Sequence, residues 1–201
     1  MTTYPDDCRY AVIDCETTGL DRDGNYILEV SWLFIDAWFR QVSQPQSYMV
    51  KLPPGHYEDA IADIEANGFV KKMHIDSGLY DDLEDDSVEK IPMHEILDIF
   101  VEDALANGAD RMPFKFAGYS VSFDREFLRV NGWFDLIESN RLGFQMHHRI
   151  LDISSILQFF EGSHLDIPYI ENENAHRALN DVVHSMQTLQ ALSRSVQPVG
   201  A

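Results

Sequence analysis

Apolar and β-branched residues dominate "YAVIDCE" (10–16) and "YILEVSWLFID" (26–36), with the turn-like "DRDGN" (21–25) between them. This pattern predicts two strands joined as a hairpin, and "SYMVKL" (47–52) reads as a third. The period then changes. "EDAIADIEANGFVKKMH" (58–74) reads as helical, and "IPMHEILDIFVEDALANG" (91–108) puts Leu97, Val101, Ala104 and Leu105 on one helical face, with Pro92 near its start and Gly108 after its end. A short strand "FKFAGY" (114–119) leads into "SFDREFLRVNGW" (122–133), where Ser122 is expected as the N-cap and Phe123, Phe127 and Val130 face a core. A further strand "HRILDIS" (148–154) precedes helical "SILQFFEG" (155–162). The last segment, "AHRALNDVVHSMQTLQALSRS" (175–195), carries Ala178, Val182, Met186 and Leu189 as one apolar stripe. Strands first, then alternating strand and helix, predict an α/β domain on a mixed sheet.

Length and composition add bounds. The 201 residues, 45% of them hydrophobic, can bury one core, so a single domain over 1–201 is expected, with its core at about 9–192 and a flexible tail at 193–201. The formal net charge is -19, from 34 acidic against 15 basic side chains. Such a chain is poorly suited to gripping long nucleic acid, because Lys and Arg supply most of that affinity. A polyanionic substrate would have to be short or held through metal. The acidic run "YDDLEDDSVEK" (80–90) reads as a solvated loop or helix start. Neither a signal-peptide pattern nor an apolar run of membrane-span length occurs, and the two cysteines, Cys8 and Cys15, form no disulfide or zinc framework. A soluble cytoplasmic protein with reduced thiols and no membrane partner is the expectation.

The candidate chemistry lies where strands end. Side chains two apart on a strand share a face, so Asp14 and Glu16 project together while Cys15 points away. Two like charges side by side call for compensation, most simply by a divalent cation with oxygen ligands such as Mg²⁺ or Mn²⁺. Asp124 falls in a first helical turn, where an acid also complements the helix dipole. His176 and Asp181 are five residues apart, a net rotation of about 140° on a regular helix. They can serve one site only if His176 lies at or before the helix start. Taken singly, each residue also has an ordinary structural reading.

The ordered set resembles the DEDDh 3′-to-5′ exonuclease family, and within it the oligoribonuclease branch, over roughly residues 9–192. The likeness rests on "DCETTGLD" (14–21), "HIDSGL" (74–79), "GYSVSFDREFL" (118–128), "HHRILDISSI" (147–156) and "HRALNDVVHSMQTL" (176–189), in that order. It implies a ribonuclease H-like mixed sheet flanked by helices, antiparallel in its first strands and parallel later. It also implies hydrolysis of very short oligonucleotides to nucleoside 5′-monophosphates by two divalent ions, Mg²⁺ or Mn²⁺. Asp14, Glu16, Asp124 and Asp181 correspond to the metal-binding carboxylates and His176 to the general base. Thr17, Leu20, Phe69, Ser120, His148 and Arg149 fall at substrate-binding positions, Leu20 as a wedge between bases and Phe69 where the family stacks a tryptophan. His148 stands where the family has a tyrosine contributed across a homodimer interface.

The substrate expected from this resemblance is short RNA, without exclusion of DNA, and the assembly a homodimer. Two other readings remain open on the sequence. One is a proofreading or single-strand DNA exonuclease with the same site acting on longer strands. The other is a non-catalytic acidic binding protein that mimics nucleic acid, consistent with the net charge.

Overall fold

The computed structural model describes residues 7–134, 146–166, 170–172 and 175–196. Its frame is a sheet of six strands: β1 (Tyr10–Thr17), β2 (Ile27–Ile35), β3 (Gln46–Lys51), β4 (Lys90–Pro92), β5 (Lys115–Gly118) and β6 (Leu151–Asp152). They lie in the order β4-β3-β2-β1-β5-β6. β1–β2 and β2–β3 pair antiparallel, whereas β3–β4, β1–β5 and β5–β6 pair parallel. This is the expected mixed sheet.

β2, "ILEVSWLFI", is buried along its whole length because helices cover both faces of the sheet. On one face, Ile13, Cys15, Trp32 and Phe34 pack with Leu97, Phe100, Val101 and Ala104 of α4 (Met93–Ala106) and with Phe127 and Leu128 of α5 (Ser122–Val130). On the other, Val12, Leu33 and Ala117 meet Ile153 and Phe160 of α6 (Ile153–Gly162) and Val182, Met186 and Leu189 of α7 (Ala178–Ser195). β1 therefore sends odd residues to one layer and even residues to the other, and Asp14 and Glu16 continue the row begun by Val12.

Several local expectations are corrected. The helical stretch after β3 is two helices, α1 (Tyr57–Ala66) and α2 (Gly68–Asp76). They break at Asn67, whose side chain accepts from the N–H groups of Phe69 and Val70 and so caps α2. The acidic run contains a short α3 (Leu79–Glu84), and β4 appears where only a helix start was read. Ser122 is the first residue of α5, not its N-cap; Val121 holds that position and makes no side-chain capping bond. Val130 and Leu105 are exposed, since the buried stripe of α4 runs through Ile96, Leu97, Phe100, Val101 and Ala104. The strand expected over 148–154 shortens to Leu151–Asp152, because Asp152 accepts from the Ser155 N–H and starts α6 there. α7 continues to Ser195, three residues into the expected tail, and 197–201 lie outside the described residues.

Candidate active site

β1 and β5 run side by side only from Tyr10↔Lys115 to Val12↔Ala117. Beyond that point β5 turns toward α5, and β1 continues alone on that edge through Asp14 and Glu16. A crevice at the carboxyl ends of parallel strands is where open α/β sheets place ligands. The turn is tight: a Cβ on Gly118 would lie 2.9 Å from the carbonyl oxygen of Ile13, so the two strand ends approach closely only because this residue is glycine.

The acids gather around this edge. Asp124, in the first turn of α5, is buried, and its Oδ1 accepts the backbone N–H of Cys15 at 2.8 Å. Asp181, in the first turn of α7, accepts the His176 N–H on Oδ2 at 3.0 Å and the Asn172 amide on Oδ1. A carboxylate oxygen of Glu16, one of Asp181 and a ring nitrogen of His176 all lie within 4.8 Å of one another. His176 sits two residues ahead of α7 with φ +70, a left-handed backbone unusual for a non-glycine residue. That irregular turn is how a histidine and an aspartate five residues apart come to share one site. Asp14 and Asp124 stand outside the 4.8 Å group but within electrostatic reach of Asp181 and of each other.

Burial and mutual repulsion raise these acids. Glu16 is pushed up to about 8, by burial first and then by the charges of Asp181, Glu29 and Asp124. Burial pushes Asp124 up to about 7 against the lowering effect of the Cys15 N–H. Asp14 is raised well above the usual carboxylate range by burial and by Asp124 and Glu16, and burial raises Asp181 as well. A group of raised acids presenting hard oxygen donors is chemically matched to a divalent cation, which would relieve the repulsion.

The positions implied for substrate divide. Leu20 and Phe69 are 82% and 74% exposed. Phe69 lines a cavity of about 490 Å³ together with Met73, Asn172, His176, Arg177 and Asn180. Thr17 is buried; its hydroxyl donates to the Gly19 carbonyl at 2.7 Å, so its side chain shapes the turn below Leu20. Ser120 has φ +47 and its hydroxyl lies 3.2 Å from that of Ser154. Arg149 is exposed, and its N–H donates to Nδ1 of His147, on which His148 stacks at 4.4 Å. Ser120, His148 and Arg149 do not line the Phe69 cavity.

Sequence reasoning passed over several supports. Glu29 is a buried acid on β2 directly opposite Glu16. Its signal was a lone carboxylate in an otherwise apolar strand, which needs partners to stay there. His74, fully buried, donates from Nε2 to the carbonyl of Thr17 at 2.9 Å and holds the chain just past Glu16, where β1 is bulged. Burial keeps its imidazole below the ordinary histidine range.

A mixed sheet of this order, flanked by helices and with carboxylates at its central strand ends, is the fold of solved exonucleases. The solved Escherichia coli exonuclease I bound to a dT13 oligonucleotide superposes with a TM-score of 0.59 at 15% identity, covering 91% of this chain and 40% of that one. This protein thus spans well under half of the exonuclease I chain. Among curated proteins, the oligoribonuclease of Leifsonia xyli is 30% identical over 193 residues, covering 94% of this chain and 83% of the relative. That of Corynebacterium diphtheriae is 28% identical over 196 residues, covering 96% and 86%. No protein-family model matches. The chain belongs to the oligoribonuclease family.

Proposed function

We propose that the protein is a single-domain 3′-to-5′ exoribonuclease that hydrolyses very short oligonucleotides to nucleoside 5′-monophosphates, acting as a cytoplasmic homodimer. The observation that carries the reading is the convergence of Glu16, Asp181 and His176 within 4.8 Å beside the cavity that Phe69 lines. The net charge of -19 favours short substrates, since the chain lacks the cationic excess that would hold a long strand.

In this reading Asp14, Glu16, Asp124 and Asp181 hold two divalent ions, Mg²⁺ or Mn²⁺. When bound, these ions neutralise phosphate charge and polarise the scissile phosphodiester. The His176 ring accepts the proton of the attacking water as the new phosphorus–oxygen bond forms and the 3′-oxygen departs. Asp181 fixes the backbone of His176 through its N–H, so base and carboxylate keep one geometry. Phe69 offers an exposed aromatic face on which a terminal base stacks, and Leu20 presents an exposed apolar side chain as the wedge between bases. Ser120, His148 and Arg149 bind the far end of the substrate, and Thr17 holds the Leu20 turn.

The test is hydrolysis of 5′-phosphorylated RNA of two, three, five and twenty nucleotides with Mn²⁺, alongside Asp14→Ala. Fastest cleavage of the dinucleotide, lost in the variant, supports the reading. Equal cleavage of the twenty-mer would replace it by an exonuclease of longer strands, the alternative that the fold likeness to exonuclease I favours. No cleavage at any length would leave an acidic binding protein.

A further inference from the structure

Glu29 has neither an apolar neighbourhood's usual occupant nor a free lone pair. Its Oε1 accepts the Ser47 hydroxyl at 2.9 Å and Arg177 Nη2 at 3.1 Å. Its Oε2 accepts Arg177 Nε at 3.3 Å and the Ala178 N–H at 3.0 Å. Two donors on each oxygen exhaust its acceptor capacity, so Glu29 is not a further metal ligand although it faces Glu16 across the β1–β2 pair. The forked contact to one guanidinium is the rigid bidentate arrangement that arginine alone provides.

Besides Ser47, the partners of Glu29 are the two residues after His176. Ala178 opens α7, and Arg177, at the N-cap, makes no side-chain capping bond. The cap comes instead from β2, 149 residues away in sequence. Arg177 also reaches Asp82 on α3 through Nη1 at 2.7 Å, so its guanidinium is fixed from two sides. The left-handed turn at His176 is thereby anchored immediately downstream, and Asp181 closes it from within α7.

We propose that Glu29 and Arg177 form a positioning pair that holds the His176 turn over Glu16 and Asp181, and so sets turnover without contacting the reacting atoms. This rests on the reading of His176 as the base. Removing the pair leaves the carboxylates in place but lets His176 sample other orientations, a loss that falls on kcat and not on KM.

The experiment measures kcat and KM on 5′-phosphorylated diadenosine RNA with saturating Mn²⁺ for Arg177→Ala, Glu29→Gln and Arg177→Lys, each alone and combined with His176→Ala. Thermal melts check folding. Arg177→Ala and Glu29→Gln are expected to lower kcat by about 10- to 100-fold, as loss of an orienting partner does; KM should stay within about twofold for Glu29→Gln, whose side chain does not line the cavity, while Arg177→Ala also removes part of that lining. In the His176→Ala background the same changes should have little further effect, because what they position is gone. Should Arg177→Ala not fold, the cycle with Arg177→Lys decides, since lysine keeps the charge but loses the fork. Equal losses with and without His176, or a loss confined to KM, would overturn the proposal while leaving the base reading intact. Full turnover by His176→Ala would sink the base reading and this proposal with it.

Discussion

The backbone N–H of Cys15 donates to Oδ1 of Asp124 at 2.8 Å across 109 residues of sequence, tying the end of β1, between Asp14 and Glu16, to the first turn of α5. Asp124 thus has two tasks, a structural acceptor and a charge in the acidic group. Asp124→Asn keeps an acceptor for Cys15 and removes the charge, whereas Asp124→Ala leaves a buried N–H unpaired, at about 1–3 kcal/mol. The expected outcome is loss of turnover by at least about 100-fold in both. In chemical denaturation without metal, only the alanine variant should be destabilised. An asparagine variant as unstable as the alanine one would mean that the charge itself supports the fold.

The raised acids give a pH dependence of definite sign. Glu16, raised to about 8, and Asp124, raised to about 7, keep protons in the folded state that the unfolded chain has already released. Between about pH 4.5 and 8 the unfolded state therefore binds fewer protons, and metal-free stability falls as pH rises. The melting temperature without metal should be lower at pH 8 than at pH 5, by about 2–4 °C for each kcal/mol of penalty. Mn²⁺ should raise it most at pH 8, because at lower pH the ion must first displace those protons. Equal melting temperatures at pH 5 and 8 in a chelator would contradict the clustering of these acids.

Much of this was legible in the sequence for physical reasons. Alternation in β1 announced which residues face which layer, so the shared face of Asp14 and Glu16 followed directly. The 140° offset of His176 from Asp181 pointed to a non-helical His176, which the φ of +70 now explains. The break at Asn67 was obscured because "ANG" lies within continuous helical periodicity, and only the Asn67 caps reveal it. The Ser122 cap failed because Val121 and Ser120 complete a turn that starts the helix one residue early. Glu29 and Arg177 stayed hidden since their pairing spans 148 residues, which no local spacing encodes.

The two exposed apolar residues assigned to the substrate predict binding effects without stability effects. Phe69→Ala and Leu20→Ala remove surface side chains, so unfolding free energy should stay within about 0.5 kcal/mol of the wild type. A lost base-stacking contact is worth about 1–3 kcal/mol, so KM for a dinucleotide should rise roughly 5- to 150-fold for Phe69→Ala, with kcat changed far less. Phe69→Trp enlarges the aromatic face and should lower KM. Unchanged KM in Phe69→Ala would place the terminal base elsewhere.

Leu20 stands out from the surface because the turn beneath it is tightly packed. A Cβ on Gly19 would lie 2.5 Å from Oδ1 of Asn25, and that same oxygen accepts the Asp21 N–H at 2.9 Å. The Asn25 amide in turn donates to Asp63 of α1 at 2.9 Å, and Thr18 donates to the same carboxylate oxygen at 3.2 Å. Gly19→Ala therefore pushes on an amide already held on both sides, and the turn can yield only by giving up these bonds. The expected result is a raised KM for the dinucleotide, similar in size to that of Leu20→Ala, with a stability loss of about 1 kcal/mol. In Asn25→Ala the obstruction is gone, so adding Gly19→Ala there should cost little more. If the double variant instead shows the sum of both single effects, the 2.5 Å approach is not what presents Leu20.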